Sequence, residues 1–191
     1  YKNIYITGHS KGGNLAMYSS IYCDKKHQKH IRKIYNFDGP GFLKLDNKFY
    51  KMKDKIINYF PESSIVGRMM YNDFTIYAVK ALKDGIEAHN VYTWVINGNN
   101  LKLGKLKKIS NDFKSGCDHI LESIPNNRKK VIIDYIYSLM LKGEISNIKE
   151  LNIKKIKLLL EESPKLTKEE KSELINFSKI LIKAMIPKIK K

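Results

Sequence analysis

The stretch Tyr5-Ile6-Thr7-Gly8-His9-Ser10-Lys11-Gly12-Gly13-Asn14-Leu15-Ala16 constrains the fold of this chain more than any other. A short β-branched and aromatic run containing Ile4 and Ile6 precedes Gly8-x-Ser10-x-Gly12, and a small-residue run follows it. This pattern implies a strand that turns abruptly into a helix, with Ser10 at the apex in a strained backbone conformation. Glycines two positions to either side are expected because a Cβ at Gly8 or Gly12 would collide with the neighbouring strand or helix.

A strand that feeds a helix at once belongs to a layered α/β protein, and the rest of the first hundred residues agrees. Runs of Ile, Val, Tyr, Phe or Thr bounded by Gly, Pro, Asn or Asp predict strands at Asn3–Thr7, Lys33–Phe37, Ile56–Phe60, Thr75–Lys80 and Val91–Ile96. A helix at about Gly13–Cys23 lies between the first two, so at least that part of the sheet is expected to be parallel. After Asn97-Gly98-Asn99-Asn100 the composition turns to Lys, Leu, Ile and Glu with helical spacing. That predicts helices at about Asn126–Leu141 and Ile148–Glu162, and a third that starts at the capping box Thr167-Lys168-Glu169-Glu170 and ends before Pro187. Residues 1–100 then form a mostly parallel α/β core and 101–191 a helical region packed on it or appended to it.

With 191 residues, 42% of them hydrophobic, the chain can bury a core, and no apolar run nears the roughly 18 residues of a membrane-spanning helix. The net charge of +17 comes almost wholly from lysine, because only Arg32, Arg68 and Arg128 are arginines. Phosphate-reading surfaces use Arg as well as Lys, whereas Lys together with Ile, Asn and Tyr is the drift of AT-rich coding sequence. Nucleic acid is therefore not an expected partner, although summed charge leaves a weak attraction to anionic surfaces. Cys23 and Cys117 follow no metal or redox spacing, and two free thiols fit a reducing cytoplasm. The first residue is Tyr1 and a core strand starts beside it, so the chain is expected to be the later part of a longer one.

A serine hydroxyl is too weakly acidic to attack a carbonyl unaided, so Ser10 at such a turn requires a histidine base and an acid that orients it. His9 lies inside the turn and is expected to shape it; His27 and His30 flank a Lys-rich helix end, and His119 opens a helical segment. His89 follows the serine in chain order and lies in a loop between strands, which makes it the expected base. Two acids compete: Asp38 in Asn36-Phe37-Asp38-Gly39-Pro40-Gly41-Phe42 and Glu62 in Pro61-Glu62-Ser63-Ser64-Ile65-Val66-Gly67, each at a strand end. Asp73 and Asp84 are lesser candidates. This chemistry calls for no cofactor and no metal.

The blocks Gly8-His9-Ser10-Lys11-Gly12-Gly13-Asn14-Leu15-Ala16, Asn36 to Phe42, Pro61 to Gly67 and His89-x-x-x-x-Trp94 together resemble the Mbeg-like family of bacterial α/β-hydrolases, which are related to lipases. The resemblance is firm over about residues 1–100 and loose beyond. It implies the α/β-hydrolase fold and a lipase- or esterase-like activity on carboxylic esters, with Ser10 and His89 as nucleophile and base. The Asp38 block also resembles the acid-bearing turn of pancreatic-type lipases. In fungal-type lipases the acid precedes an Ile-Val-Pro run, and the aligned residue here is Ser64, which favours Asp38 over Glu62. The backbone N–H of Lys11 is then expected to form half of an oxyanion hole. The other donor comes from a loop upstream of the elbow strand, so this stretch without that loop is expected to express poorly or turn over little. The competing expectation is a catalytically silent scaffold that docks on an anionic membrane or a protein partner through the helix Lys168–Ile186, with Leu174, Phe177, Leu181 and Ile182 on one side.

Overall fold

A computed structural model describes residues 2–125, 127, 128, 160, 161, 164 and 166–185. Two compact units divide the chain, Tyr1–Lys114 and Ser115–Lys191. The first is built on a four-stranded parallel sheet of β1 (Ile4–His9), β2 (Ile31–Phe37), β3 (Ile56–Pro61) and β4 (Ile76–Val79), in the order β1-β2-β3-β4. Helix α1 (Lys11–Tyr22) and the single turn α2 (Lys25–Gln28) join β1 to β2; α3 (Asn47–Met52) joins β2 to β3. Parallel neighbours need such crossovers because each strand must return to the same end of the sheet.

One face of the sheet is apolar. Ile34 and Ile56 with the half-buried Ile4 and Ile6 pack against Ala16, Met17 and Ile21 of α1 and Phe49 and Met52 of α3. Removing these side chains from water is the main force holding the unit together, at about 1.5–3 kcal/mol for each fully buried large one. The start of α3 is set by Asp46, whose Oδ1 accepts from the N–H groups of Lys48 and Phe49. Those N–H bonds, that of Phe49 foremost, hold the Asp46 carboxyl below the usual carboxylate range. On the opposite face the rows are aromatic: Phe37 pairs in register with Tyr59 and Tyr59 with Tyr77, with ring centroids 5.6 Å apart in both cases.

The expected fifth strand over Val91–Ile96 is not a strand of the four-stranded sheet; Trp94 makes a single antiparallel bridge to Ala81, beyond the end of β4. Val91–Thr93 is a 3-10 turn, because the Asn90 side chain accepts from Tyr92 N–H and so caps it. Beyond it, β5 (Ile96–Asn97) and β6 (Asn100–Leu101) form a two-residue antiparallel ladder around Gly98, whose φ of +60° suits a glycine. The composition change at Asn97–Asn100 is thus a hairpin inside the first unit; Lys102 and Gly104 continue by bonding to Lys80 and Ala78 of the β4 segment.

The division between units falls within α4 (Lys108–Ser123). In the second unit, α5 (Lys168–Met185) begins at the expected capping box, with Thr167 N–H donating to Glu170 Oε2 at 2.9 Å and Glu170 N–H to Thr167 Oγ1 at 3.2 Å. The helices expected at Asn126–Leu141 and Ile148–Glu162 lie, but for residues 127, 128, 160 and 161, outside the described residues. No helix among the described residues is long and apolar enough to cross a membrane.

Candidate functional site

Between the last residue of β1 and the first of α1, Ser10 alone makes the turn, at φ 58° and ψ −129°. A residue with a Cβ pays about 1–3 kcal/mol there, so its surroundings must hold it. They do so through its backbone: Ser10 N–H donates to Phe37 O at 3.0 Å, and Ser10 O accepts from Gly13 and Asn14 N–H at 3.0 and 3.2 Å. The hydroxyl makes no capping bond, although a serine at this position of a helix ordinarily uses its Oγ in that way. Lys11 N–H, in the first helical position, has no intrahelical acceptor. Its ammonium group bonds to Asn14 Oδ1 at 3.2 Å.

The glycines divide differently from the expectation. A methyl group at Gly8 would land on the Gly12 carbonyl, as foreseen, but one at Gly12 would meet nothing within 4 Å. The second residue that cannot carry a Cβ is Gly13, which faces the Asn36 side chain and Gly8 O. What Gly12 supplies at the close approach is its backbone, and the strand packed against the helix start reaches one residue further along than the pattern alone suggests.

Asp38 directly follows β2, at φ 49° and fully buried. Its N–H donates to Tyr59 O on β3 at 2.9 Å. The turn beyond it is held by buried Asn36, whose Oδ1 accepts from Gly39 N–H at 2.9 Å and whose Nδ2 donates to Gly39 O at 3.1 Å and to Asn58 Oδ1 at 3.0 Å. Such complete pairing is what makes a polar side chain tolerable in a core. The carboxylate is engaged on both oxygens. Oδ2 lies 2.7 Å from His89 Nδ1, while Oδ1 accepts from Ser64 Oγ at 2.5 Å and from Gly67 N–H at 3.1 Å. Gly67 is suited to this approach because a Cβ there would land on Asp38 Oδ1.

His89 closes a 3-10 turn, Gly85–His89, that is tied down at several points. Gly85 N–H donates to Ser63 Oγ at 3.0 Å, and Trp94 Nε1–H donates to Ala88 O at 2.8 Å. The second bond gives a physical reason for the His89-x-x-x-x-Trp94 spacing. His9 Nε2–H donates to His89 O at 2.8 Å, and the two imidazole centroids are 4.5 Å apart. Because an ionised carboxylate only accepts, His89 Nδ1 carries the proton toward Asp38, and in the neutral ring Nε2 is left with its lone pair. The His89 side chain is 21% exposed and Asp38 not at all, so the imidazole forms the solvent-facing side of the pair.

The Mbeg1-like family model matches residues 1–138, which span β1 to β6, the elbow, the Asp38 turn and the His89 loop. The chain belongs to the Mbeg1-like family. Neither a curated protein nor a solved structure matches it.

In this Mbeg1-like chain the remaining candidates lie elsewhere. Glu62 Oε1 accepts from Lys105 N–H at 3.3 Å, Asp73 pairs with Lys53 at 3.1 Å, and Asp84 pairs with Lys107 at 2.5 Å. His27 is exposed at the end of α2, and His119 lies within α4, 3.1 Å from Glu173. No group of described residues could hold a metal ion. Sequence reasoning passed over Gly67, Ser63 and the supporting role of Asn36, and treated Ser64 only as a missing acid. The available signal was two hydroxyl residues, Ser63 and Ser64, followed three positions on by Gly67, which together offer short donors and a position without a Cβ to a neighbour's carboxylate.

Proposed function

We propose that this chain is a serine hydrolase acting on carboxylic esters, built on a sheet of the α/β-hydrolase type. The observation that carries the reading is the 2.7 Å bond between His89 Nδ1 and buried Asp38, formed at the end of the sheet where Ser10 makes its strained turn. The reading is supported by His9, adjacent in sequence to Ser10, which lies ring to ring with His89.

In the proposed reaction Ser10 Oγ attacks the ester carbonyl carbon as His89 Nε2 takes the hydroxyl proton. The carbonyl oxygen becomes an oxyanion facing the N–H of Lys11. Collapse of the tetrahedral adduct breaks the bond to the alcohol oxygen, which receives the proton back from His89. Water, deprotonated by the same nitrogen, then releases the acid and restores Ser10. Asp38 stabilises the imidazolium formed in between and fixes its ring; base catalysis of this kind contributes about 10²–10⁴-fold.

The test is covalent labelling of the full-length protein by a fluorophosphonate probe. Wild type should label and Ser10→Ala should not. Equal labelling of the variant, or none in wild type, dismisses the reading.

A further inference from the structure

We infer that His9 is a positioning residue for His89, anchoring the base through its main chain. The consequence for turnover rests on the hydrolase reading; the anchoring itself does not. Asp38 fixes one atom of the imidazole, Nδ1. A ring held at one atom still pivots about that bond, and the swing is largest at Nε2, the atom that must face Ser10. Restricting it requires the backbone of His89 to be held as well. The bond from His9 Nε2–H to His89 O, 2.8 Å long, is placed to do this, with the two rings 4.5 Å apart and tilted by 31°.

The arrangement ties the residue beside Ser10 directly to His89. His9 is the last residue of β1 and is bonded through one peptide unit to Ser10. In register, His9 lies opposite Phe37 of β2, and Phe37 packs on Trp94 with centroids 6.1 Å apart. Trp94 in turn holds Ala88 O. The carbonyls of Ala88 and His89 are therefore held from two adjacent strands, one through Trp94 and the other through His9. His9 is also exposed, so its replacement leaves the apolar core untouched.

Three substitutions separate the hydrogen bond from ring packing. His9→Gln keeps an N–H donor the same number of bonds from Cα, His9→Phe keeps the ring without a donor, and His9→Ala removes both. In the full-length protein, labelled with ¹⁵N-histidine, the His89 Nδ1–H proton should be protected from exchange in wild type and His9→Gln. It should be broadened in His9→Phe and His9→Ala, while the backbone amide spectrum away from position 9 and its register partner stays that of the folded sheet. Fluorophosphonate inactivation should slow about tenfold at saturating probe in the last two variants, the scale of one lost hydrogen bond, with half-saturating concentration unaltered and His9→Gln restored. A His89 proton equally protected in His9→Phe would overturn the inference whatever the labelling shows. If wild type fails to label while the proton follows the donor at position 9, the hydrolase reading falls and the anchoring stands.

Discussion

Removing the Ser64 hydroxyl tests most directly whether the Asp38 carboxylate is held as described. Ser64 and Asp38 are both fully buried, and Asp38 Oδ1 has two donors, Ser64 Oγ at 2.5 Å and Gly67 N–H at 3.1 Å. Ser64→Ala takes away the shorter bond and leaves the longer. A hydrogen bond to a charged acceptor contributes about 1.5–3 kcal/mol, and no water replaces a buried hydroxyl without room for it. We expect a loss of about 2 kcal/mol in urea denaturation, or a thermal midpoint lower by roughly 4–8 °C. A double-mutant cycle with Asp38→Asn assigns that loss to the pair. In the Asp38→Asn background the same Ser64→Ala change should be at least ~1 kcal/mol less costly, since the carboxylate is gone. Fluorophosphonate labelling should slow as well, because a carboxylate free to rotate aims His89 less sharply. If Ser64→Ala costs under ~0.5 kcal/mol, or if the two changes simply add, the hydroxyl does not support the carboxylate and the reasoning fails.

Gly12→Ala should leave stability unchanged or raise it by up to ~1 kcal/mol, whereas Gly13→Ala should destabilise, since only the second Cβ meets Asn36; urea titration of both variants checks the order. Ser10→Gly should abolish labelling and yet stabilise the fold by about 1 kcal/mol, because glycine adopts φ 58° without strain; a lower denaturation midpoint would contradict the strained elbow. In the second unit, the Arg128 guanidinium first and the Thr167 N–H after it hold the Glu170 carboxyl below its ordinary value of 4.5. A lowered folded-state value means the pair stabilises fully above pH 4.5, and the contribution fades as pH falls from there through the lower folded value. Circular dichroism should therefore show helix lost on acidification in wild type and less pH-dependent loss in Glu170→Gln; identical acid limbs would speak against the linkage.

How far the sequence could be read depended on how local the cause was. The four sheet strands are short β-branched runs closed by turn residues, and α5 begins at a capping box whose two bonds join residues three apart. Val91–Ile96 misled because Val, Tyr, Thr and Trp favour a pleated surface, while the Asn90 cap and the pull of the Trp94 indole toward Ala88 O make a turn of the same residues. Helix α4 was legible only as a helical segment opening at His119, eleven residues after its true start at Lys108, for the opposite reason. Its Ser, Asn, Asp and Gly residues are poor helix formers, and burial of Phe113 and Cys117, four apart on one face, outweighs that preference.

The elbow is the most local part of the site, because its main causes are the absent side chains of Gly8 and Gly13 and the bonds of Gly13 and Asn14 N–H to Ser10 O, with one bond, Ser10 N–H to Phe37 O, supplied by β2. No local rule separates Asp38 from Glu62, since each ends a strand and each is a carboxylate; only the resemblance to lipases favoured Asp38 at the level of sequence. In the tertiary structure Asp38 meets His89 across 51 residues and Ser64 across 26, while Glu62 is left to the backbone of Lys105. Residue type and near spacing can prepare a hydroxyl at a bend; which buried oxygen meets which imidazole depends on the stacking of strands that lie far apart along the chain.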